Sequence, residues 1–171
     1  AVMRPGQLGP MSRVFDPRER PWYMAAHSSA RPVWTSVYLD FKTNELVATR
    51  TRRVNNAQGE FEGVVATDLS LKQVNAFLQK LTLSANGVAM VTEADGALIG
   101  VSRGPHLKPD DKGGNARMNA AQVGDAMVAA TYRAVQPLLA GASDTQPHTA
   151  SYSDADGHRV QVGYARLRDA A

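Results

Sequence analysis

The spacing of apolar residues divides the chain into runs of strands separated by helices. Segments 33–40, 45–54 and 60–69 are rich in β-branched and aromatic residues and predict three antiparallel strands joined as a meander. A short helix is predicted before them, over about 21–27, because Pro21 suits a first helical turn. A longer amphipathic helix follows the strands, and its i, i+3 and i+4 positions are Leu71, Val74, Phe77, Leu78 and Leu81.

The second half of the chain repeats this order on a smaller scale. Two strands, 88–93 and 97–102, are joined by the turn signal Asp95-Gly96 and predict a hairpin. A polar loop then leads to a predicted helix over about 119–139, and a last hairpin turns at Asp156-Gly157. The pattern therefore predicts an α+β fold of two units, each an antiparallel sheet with flanking helices, that divide near residues 83 to 87.

Composition places the chain among ordinary globular proteins. Its 171 residues are 43% hydrophobic and 20% charged, and no segment approaches the roughly 18 consecutive apolar residues of a membrane-spanning helix. Because the chain contains no cysteine, disulfides, thiolate metal sites and cysteine nucleophiles are excluded. The chain begins at Ala1 and stops without a finished element, so we expect it to be a piece of a longer protein, truncated at both ends.

The positive charge of the chain lies near its amino terminus. The formal net charge is +3, and residues 1–53 hold nine Lys and Arg against four Asp and Glu. Arg50, Arg52 and Arg53 could contact nucleic acid, or they could form the solvated face of an edge strand. We favour the edge strand, because no aromatic residues alternate with these arginines as they do in single-strand binders.

Sequence motifs for catalysis and metal binding are missing. The four histidines, at 27, 106, 148 and 158, are dispersed and lack the spacing of metal ligands. No phosphate-binding loop, nucleophile elbow or dinucleotide-binding glycine motif is present. We therefore predict neither an enzyme nor a cofactor or metal site.

The segment 15–26, FDPRERPWYMAA, carries candidate groups for binding an anion. Arg20 stands at the entrance of the first helix, and its planar guanidinium matches a carboxylate with two hydrogen bonds. Trp22 adds an indole N–H donor, and Tyr23 adds an amphipathic ring. The alternative is structural: both rings anchor the core, while Arg20 pairs with Glu19 or Asp16.

Two strand ends carry candidate groups for binding a cation. With a period of two residues, Trp34, Tyr38 and Asp40 share one face of the first strand. Asp68 ends an apolar run that is predicted to be buried on both sides. Its alternative role is to cap the next helix, but a predicted capping box over 70–73 already satisfies that end.

The combined pattern predicts a site for a small zwitterion in the first unit. Arg20 and Trp22 would hold its anionic group, and Asp40 and Asp68 its cationic group. We expect Tyr23 and Tyr38 to be walls of the same pocket, and we expect no comparable polar pocket in the second unit. Two alternatives stay open: an interaction module without a small ligand, and a nucleic-acid-binding domain.

The same residues show a family resemblance. The stretches DPRERPWYMAA, WTSVYLD and GEFEGVVATDLSL resemble the double Cache sensor domain of bacterial transmembrane receptors. The resemblance implies two PAS-like modules, a membrane-distal ligand-binding module over 1–83 and a membrane-proximal module over 84–171. It also implies a place on the periplasmic face of the inner membrane, anchored by flanking segments absent from this chain, and a possible homodimer in the full receptor.

The resemblance further implies roles for individual residues. Arg20, Trp22 and Tyr23 match a motif that holds a ligand carboxylate, while Tyr38, Asp40 and Asp68 match the groups that hold an ammonium. Phe15 stands where the family usually has a tyrosine, so the implied ligand class includes amines and small carboxylates beside amino acids. The implied function is ligand sensing, for chemotaxis or for another output, with no nucleic-acid partner.

Overall fold

The described part of the chain forms two compact units. The computed structural model describes residues 15–81, 83–111, 114–141 and 145–167. The first unit contains the described chain up to Tyr38 together with Val47–Leu69, and the second contains Leu39–Leu46 and the described chain from Ser70 onward. The predicted pair of modules on either side of residue 83 stays a prediction.

The first unit is built on a four-stranded sheet preceded by a short helix. Helix α1 is Pro21–His27, as predicted, with proline at its first position. Strand β3 is central, because β1 and β2 pair with it and β4 pairs with it as well. The predicted strands are present, but the first is interrupted. The four strands are β1 (Val33–Trp34), β2 (Tyr38–Leu39), β3 (Leu46–Asn55) and β4 (Phe61–Ser70).

The central position of β3 corrects the expectation of an edge strand for its arginines. Thr49 and Thr51 are buried on this strand, with 0% and 1% exposure, whereas the alternating Arg50 and Arg52 are exposed. The Arg50 guanidinium lies 5.8 Å from the centre of the Trp34 ring on the neighbouring β1. An aromatic ring that is distant in sequence therefore covers an arginine of this strand.

Strand β4 is more exposed than its apolar sequence predicted. From Val65 to Ser70 every residue of the strand is exposed, including Asp68. The predicted burial on both sides is therefore wrong. The predicted capping box is also wrong, because Ser70 ends β4 and the next helix begins after Leu71, without a side-chain cap. In the described residues β4 pairs with β3 alone, so its outer edge stays open.

The described residues of the second unit include two α-helices and three hairpins. Both predicted hairpins are confirmed, and their turns contain Gly96 and Gly157 in the left-handed region, at φ +85° and +83°. A third, short hairpin lies where the sequence predicted a loop. The elements are α2 (Lys72–Lys80), β5 (Met90–Thr92), β6 (Leu98–Val101), β7 (Leu107–Pro109), β8 (Asn115–Arg117), α3 (Ala126–Gly141), β9 (His148–Ser153) and β10 (Arg159–Tyr164).

Helix α2 packs closely on β6. The buried face of α2 contains Leu78, as predicted, and Asn75, whereas the predicted Phe77 is 62% exposed. The Asn75 side-chain oxygen accepts a hydrogen bond of 3.1 Å from the Val101 amide. Gly100 allows this approach, because a Cβ there would lie 2.9 Å from the Leu78 side chain and 3.1 Å from the Asn75 backbone.

The main core of the second unit joins β6 to α3. Leu98, Val101, Ala120 and Val128 are at most 2% exposed and contact one another in one cluster. Helix α3 begins at Ala126, later than predicted, because Asp125 accepts hydrogen bonds from two amides of its first turn at 2.9 and 3.1 Å. The Asp125 carboxylate also receives two hydrogen bonds from the Arg103 guanidinium, at 2.7 and 3.1 Å.

Removing the Asp125 carboxylate is expected to destabilise the second unit. Asp125→Ala loses the helix cap and the partly exposed ion pair, so we expect a loss of about 1–2 kcal/mol in the free energy of unfolding at pH 7. Asp125→Asn is the matched control, since it can still cap the helix and should lose about half as much. Urea denaturation followed by circular dichroism measures both variants.

The same contribution should depend on pH. The Arg103 guanidinium, helped by the two helix amides, holds the pKa of Asp125 below its ordinary value. A carboxyl group with a lowered folded pKa stabilises the protein above its unfolded pKa and loses that contribution as the pH falls through the folded pKa. The difference between the wild type and Asp125→Ala should therefore begin to shrink as the pH falls below the unfolded pKa, about 3.9. A difference that grows in acid would contradict this assignment.

Candidate ligand-binding site

Arg20 lies at the start of α1, beside a ring from the sheet. It is the residue that precedes Pro21, and its guanidinium lies 5.8 Å from the centre of the Tyr38 ring. The carboxylate of Asp16, which with Glu19 was one of the two alternative partners for Arg20, is held by the Arg18 side chain and amide, at 2.6 to 3.1 Å. The fold thus places the Arg20 guanidinium over the ring of Tyr38, which is also a predicted site residue.

A chain of hydroxyl groups connects Tyr38 to Asp68. The Tyr38 phenol oxygen lies 2.7 Å from Thr49 Oγ1, and Thr49 donates a hydrogen bond of 2.6 Å to Asp68 Oδ1. Thr49 is fully buried on the central strand, and its hydroxyl oxygen contacts both partners. Arg20, Tyr38 and Asp68, predicted separately from sequence, are therefore brought together by a residue that the sequence analysis missed.

The chemistry of the hydroxyl groups fixes the direction of this chain. A threonine hydroxyl has one hydrogen, and the ionised Asp68 carboxylate can only accept. Since the Thr49 hydrogen points to Asp68, the Tyr38 hydrogen must point to Thr49. Any further hydrogen bond at the Tyr38 oxygen must therefore come from a donor, as an ammonium group would supply.

Tyr23 lies in an aromatic cluster. Its ring stacks on His27 at a centroid distance of 6.4 Å. It also forms T-shaped pairs with the rings of Trp22 and Phe61, at centroid distances of 5.8 and 6.1 Å. Phe61 begins β4, and Asp68 lies seven residues later, about 23 Å along an extended strand. Tyr23 therefore contacts the first residue of β4, whereas Asp68 lies near the last residue of that strand. This separation favours a packing role for Tyr23.

Asp40 belongs to the second unit and organises a turn there. Its Oδ2 atom accepts hydrogen bonds from the Lys42 amide, the Thr43 amide and the Thr43 hydroxyl, at 3.1, 2.8 and 2.8 Å. The predicted common face of Trp34, Tyr38 and Asp40 is not formed as one strand, because the extended segment is interrupted after Trp34. The carboxylate has the geometry of an Asx turn.

The second unit contains a polar cleft that the sequence did not predict. Its volume is about 500 Å³, and its lining includes Glu45, Lys72, Gln79, His106 and Asn115. Lys72 and Glu45 form an ion pair at 2.6 Å across part of the lining. Burial lowers the pKa of His106, so its imidazole is neutral at pH 7. Glu45, Lys72 and Gln79 lie in the part of the chain that the sequence assigned to the first module, so the expectation of no comparable polar pocket over 84–171 stays a prediction.

One group of side chains has the composition of a metal site. Asp154, Asp156 and His158 place one ligand atom each within 4.8 Å of one another at the turn between β9 and β10. The Asp154 carboxylate already accepts the amides of the other two residues, at 3.0 and 2.8 Å. The His158 amide, first among its partners, lowers the pKa of Asp154. These contacts describe a hairpin turn held by its own aspartate.

The missed residue Thr49 carried a signal in the sequence. Thr49 and Thr51 alternate with Arg50 and Arg52, so a strand places the two hydroxyl groups on one face and the two cations on the other. The alternation predicts a buried polar face. Its partners, Tyr38 and Asp68, lie 11 and 19 residues away, and only the folded sheet shows them.

Comparison with known proteins identifies the first part of the chain. Residues 6–76 match the family model of the first PDC sensor domain of methyl-accepting chemotaxis protein-like receptors. The resemblance seen in the sequence motifs, to a sensor domain of bacterial chemoreceptors, is confirmed.

Two relatives of the sensor domain are methyl-accepting chemotaxis proteins. PctB of Pseudomonas aeruginosa is 35% identical over 85 residues, which cover 50% of this chain and 13% of PctB. McpC of Bacillus subtilis is 31% identical over 86 residues, which likewise cover 50% of this chain and 13% of McpC. The matched segment is therefore a small part of each of these receptors.

The fold of the chain is similar to that of a solved chemoreceptor domain. The ligand-binding domain of the Pseudomonas aeruginosa amino acid chemoreceptor PctC, in complex with GABA, matches with a TM-score of 0.50 and 22% identity. The match covers 91% of this chain and 58% of that one. It confirms the predicted α+β fold. Among the described helices of the chain, none has the length and apolarity needed to cross a membrane.

Proposed function

We propose that the first unit of this sensor domain binds a small zwitterion, such as an amino acid, in the extracytoplasmic part of a bacterial receptor. The observation that carries the proposal is the array of Arg20, Tyr38, Thr49 and Asp68. It joins a guanidinium to a carboxylate through one aromatic ring and one buried hydroxyl. An array that presents both a cation and an anion complements a ligand that carries both charges.

The array suggests a role for each group. The Arg20 guanidinium has the planar fork that matches a carboxylate, and the neighbouring Trp22 indole adds a donor. Asp68 and the Tyr38 oxygen are acceptors for an ammonium, since the Tyr38 hydrogen is directed to Thr49. We assign Tyr23 and Asp40 to the scaffold, because the one packs in an aromatic cluster and the other holds a turn.

The receptor context of the proposal follows from the family. Relatives of the matched segment are methyl-accepting chemotaxis proteins, and the matching family model describes a sensor domain. We propose a periplasmic location, with membrane attachment through flanking segments and signalling by a ligand-dependent shift in the population of a closed pocket.

A thermal-shift screen with matched ligands tests the proposal. L-alanine carries both charges, L-alaninamide lacks the carboxylate and propionate lacks the ammonium. If the ligand class is right, a zwitterion at about 100 times its dissociation constant should stabilise the domain by about 2.7 kcal/mol. The set should include the other L-amino acids, each with its amide. Folding of the free domain is verified first by circular dichroism.

Two results of the screen would overturn the proposal. Silence of the folded domain toward every zwitterion would favour an interaction module without a small ligand. Equal stabilisation by an amino acid and by its amide would show that the carboxylate is not recognised. Retention on DNA that falls steeply with salt would instead favour the nucleic-acid-binding alternative.

Thr49→Val is expected to weaken zwitterion binding about tenfold, because it removes the hydroxyl that orients Tyr38 and Asp68. Thr51→Val is the matched control. Thr51 is equally buried on the same strand, but its hydroxyl donates to the Val65 carbonyl, at 3.3 Å. Both changes should cost about 1 kcal/mol of stability, whereas only Thr49→Val should change the affinity measured by calorimetry. Equal affinities of the two variants would contradict the role of Thr49.

A further inference from the structure

The second unit contains an apolar cavity that reaches its core. The cavity has a volume of about 260 Å³, and its floor is formed by Leu98, Val101 and Val128, which are at most 2% exposed. Met118 and Val123 form part of its walls. The cavity is partly open to solvent, so a small molecule could enter it without unfolding the core.

A charged pair stands among the lining residues of this cavity. Arg103 and Asp125 are joined by two hydrogen bonds, at 2.7 and 3.1 Å. Their side chains are 45% and 24% exposed, so the pair lies toward the solvent, whereas the floor residues are buried. The pair carries no net charge, and Asp125 has further partners in two amides of α3.

This arrangement selects against charged ligands. A ligand carboxylate would compete with Asp125 for Arg103 and meet a like charge beside it. A ligand ammonium would compete with Arg103 for the Asp125 carboxylate, which already accepts hydrogen bonds from four N–H groups. Burying either charge against the apolar floor adds a desolvation cost.

We propose that this cavity is a second ligand site, for a small neutral molecule with an apolar body and one hydroxyl or carbonyl group. The apolar body would contact the partly buried Met118 and Val123, with the core residues behind them, and the polar group would contact the Arg103–Asp125 pair. In other proteins an apolar cavity of about 150 Å³ binds benzene, so the larger volume here can accommodate a substituted ring. The site is independent of the zwitterion site proposed for the first unit and takes a different chemical class.

Three probes of equal shape test the proposal on the 171-residue chain. Benzyl alcohol is neutral, benzoate is anionic and benzylamine is cationic at pH 7. In ¹H–¹⁵N correlation spectra, benzyl alcohol should shift the amide signals of Val101, Arg103 and Val128, with an affinity at least ~tenfold above that of either charged probe. Tight binding of benzoate or benzylamine at these amides, or no shift there with benzyl alcohol at millimolar concentration, would overturn it.

A cavity-filling variant provides the second arm of the experiment. Val123→Phe places a ring in the wall of the cavity and should weaken benzyl alcohol binding at least ~tenfold. Val65→Phe makes the same change at a position that is 53% exposed on β4, and it should leave the affinity unchanged. Undiminished binding by a folded Val123→Phe variant would refute the site, and if that variant does not fold, the wild-type titration decides.

Arg20→Ala should not change benzyl alcohol binding, so a failure here is distinguishable from a failure of the zwitterion proposal.

Discussion

Arg20→Ala is expected to weaken binding of a zwitterionic amino acid by about 100-fold or more, which corresponds to roughly 3 kcal/mol. The loss is large because the ligand carboxylate would lose a charged partner with two parallel hydrogen bonds. Arg20→Lys should lose almost as much, since an ammonium cannot supply a planar fork. Isothermal titration calorimetry, with a ligand found in the thermal-shift screen, measures both variants.

Arg18→Ala is the matched control for Arg20. Arg18 lies two residues earlier, its side chain is 73% exposed, and it pairs with Asp16. Its removal lowers the net positive charge by the same amount, so general electrostatic attraction falls equally in both variants. Wild-type affinity in Arg20→Ala would remove Arg20 from the site. Wild-type affinity in Arg20→Lys alone would show that Arg20 acts as a point charge.

The packing of α2 on β6 should be very sensitive to the size of residue 100. Gly100→Val is expected to lower the free energy of unfolding by about 3 kcal/mol, because its side chain meets the Asn75 backbone and Leu78. Moving α2 away would also lengthen the hydrogen bond from the Val101 amide to Asn75, which leaves buried polar groups without partners. Urea denaturation measures the loss.

Gly63→Val separates this clash from a general effect of valine. Gly63 lies in β4, and a Cβ there has no heavy atom within 4 Å. Since valine favours strands, this variant should be as stable as the wild type or slightly more stable. A loss below about 1 kcal/mol in Gly100→Val would contradict the close approach of α2 and β6.

The exposure of Asp68 changes the expected effect of this carboxylate on the stability of the unliganded domain. The sequence predicted a buried strand end, where an unpartnered carboxylate would destabilise the free domain. The structure instead shows an exposed carboxylate whose hydrogen bond comes from the buried Thr49. Asp68 is thus held in place by the sheet without a large cost to the stability of the fold.

Local patterns in the sequence determined the type and order of most elements. Helix α1 and the Gly96 and Gly157 hairpins follow from proline at a first helical turn and from Asp-Gly turns, which act within a few residues. The motifs around Arg20, Tyr38 and Asp68 were likewise readable, and they led to the chemoreceptor family. The order of the elements and the chemical identity of the candidate groups were therefore contained in the sequence alone.

The tertiary structure decided which of these groups meet. Thr49 joins Tyr38 to Asp68 only because β3 is the central strand, and strand pairing is set by contacts between distant segments. The exposure of β4 has the same origin, since an apolar run is buried only where another element covers it. The cavity beside Leu98 depends on how β6, α3 and their loops pack, and side-chain packing has no counterpart in a one-dimensional pattern.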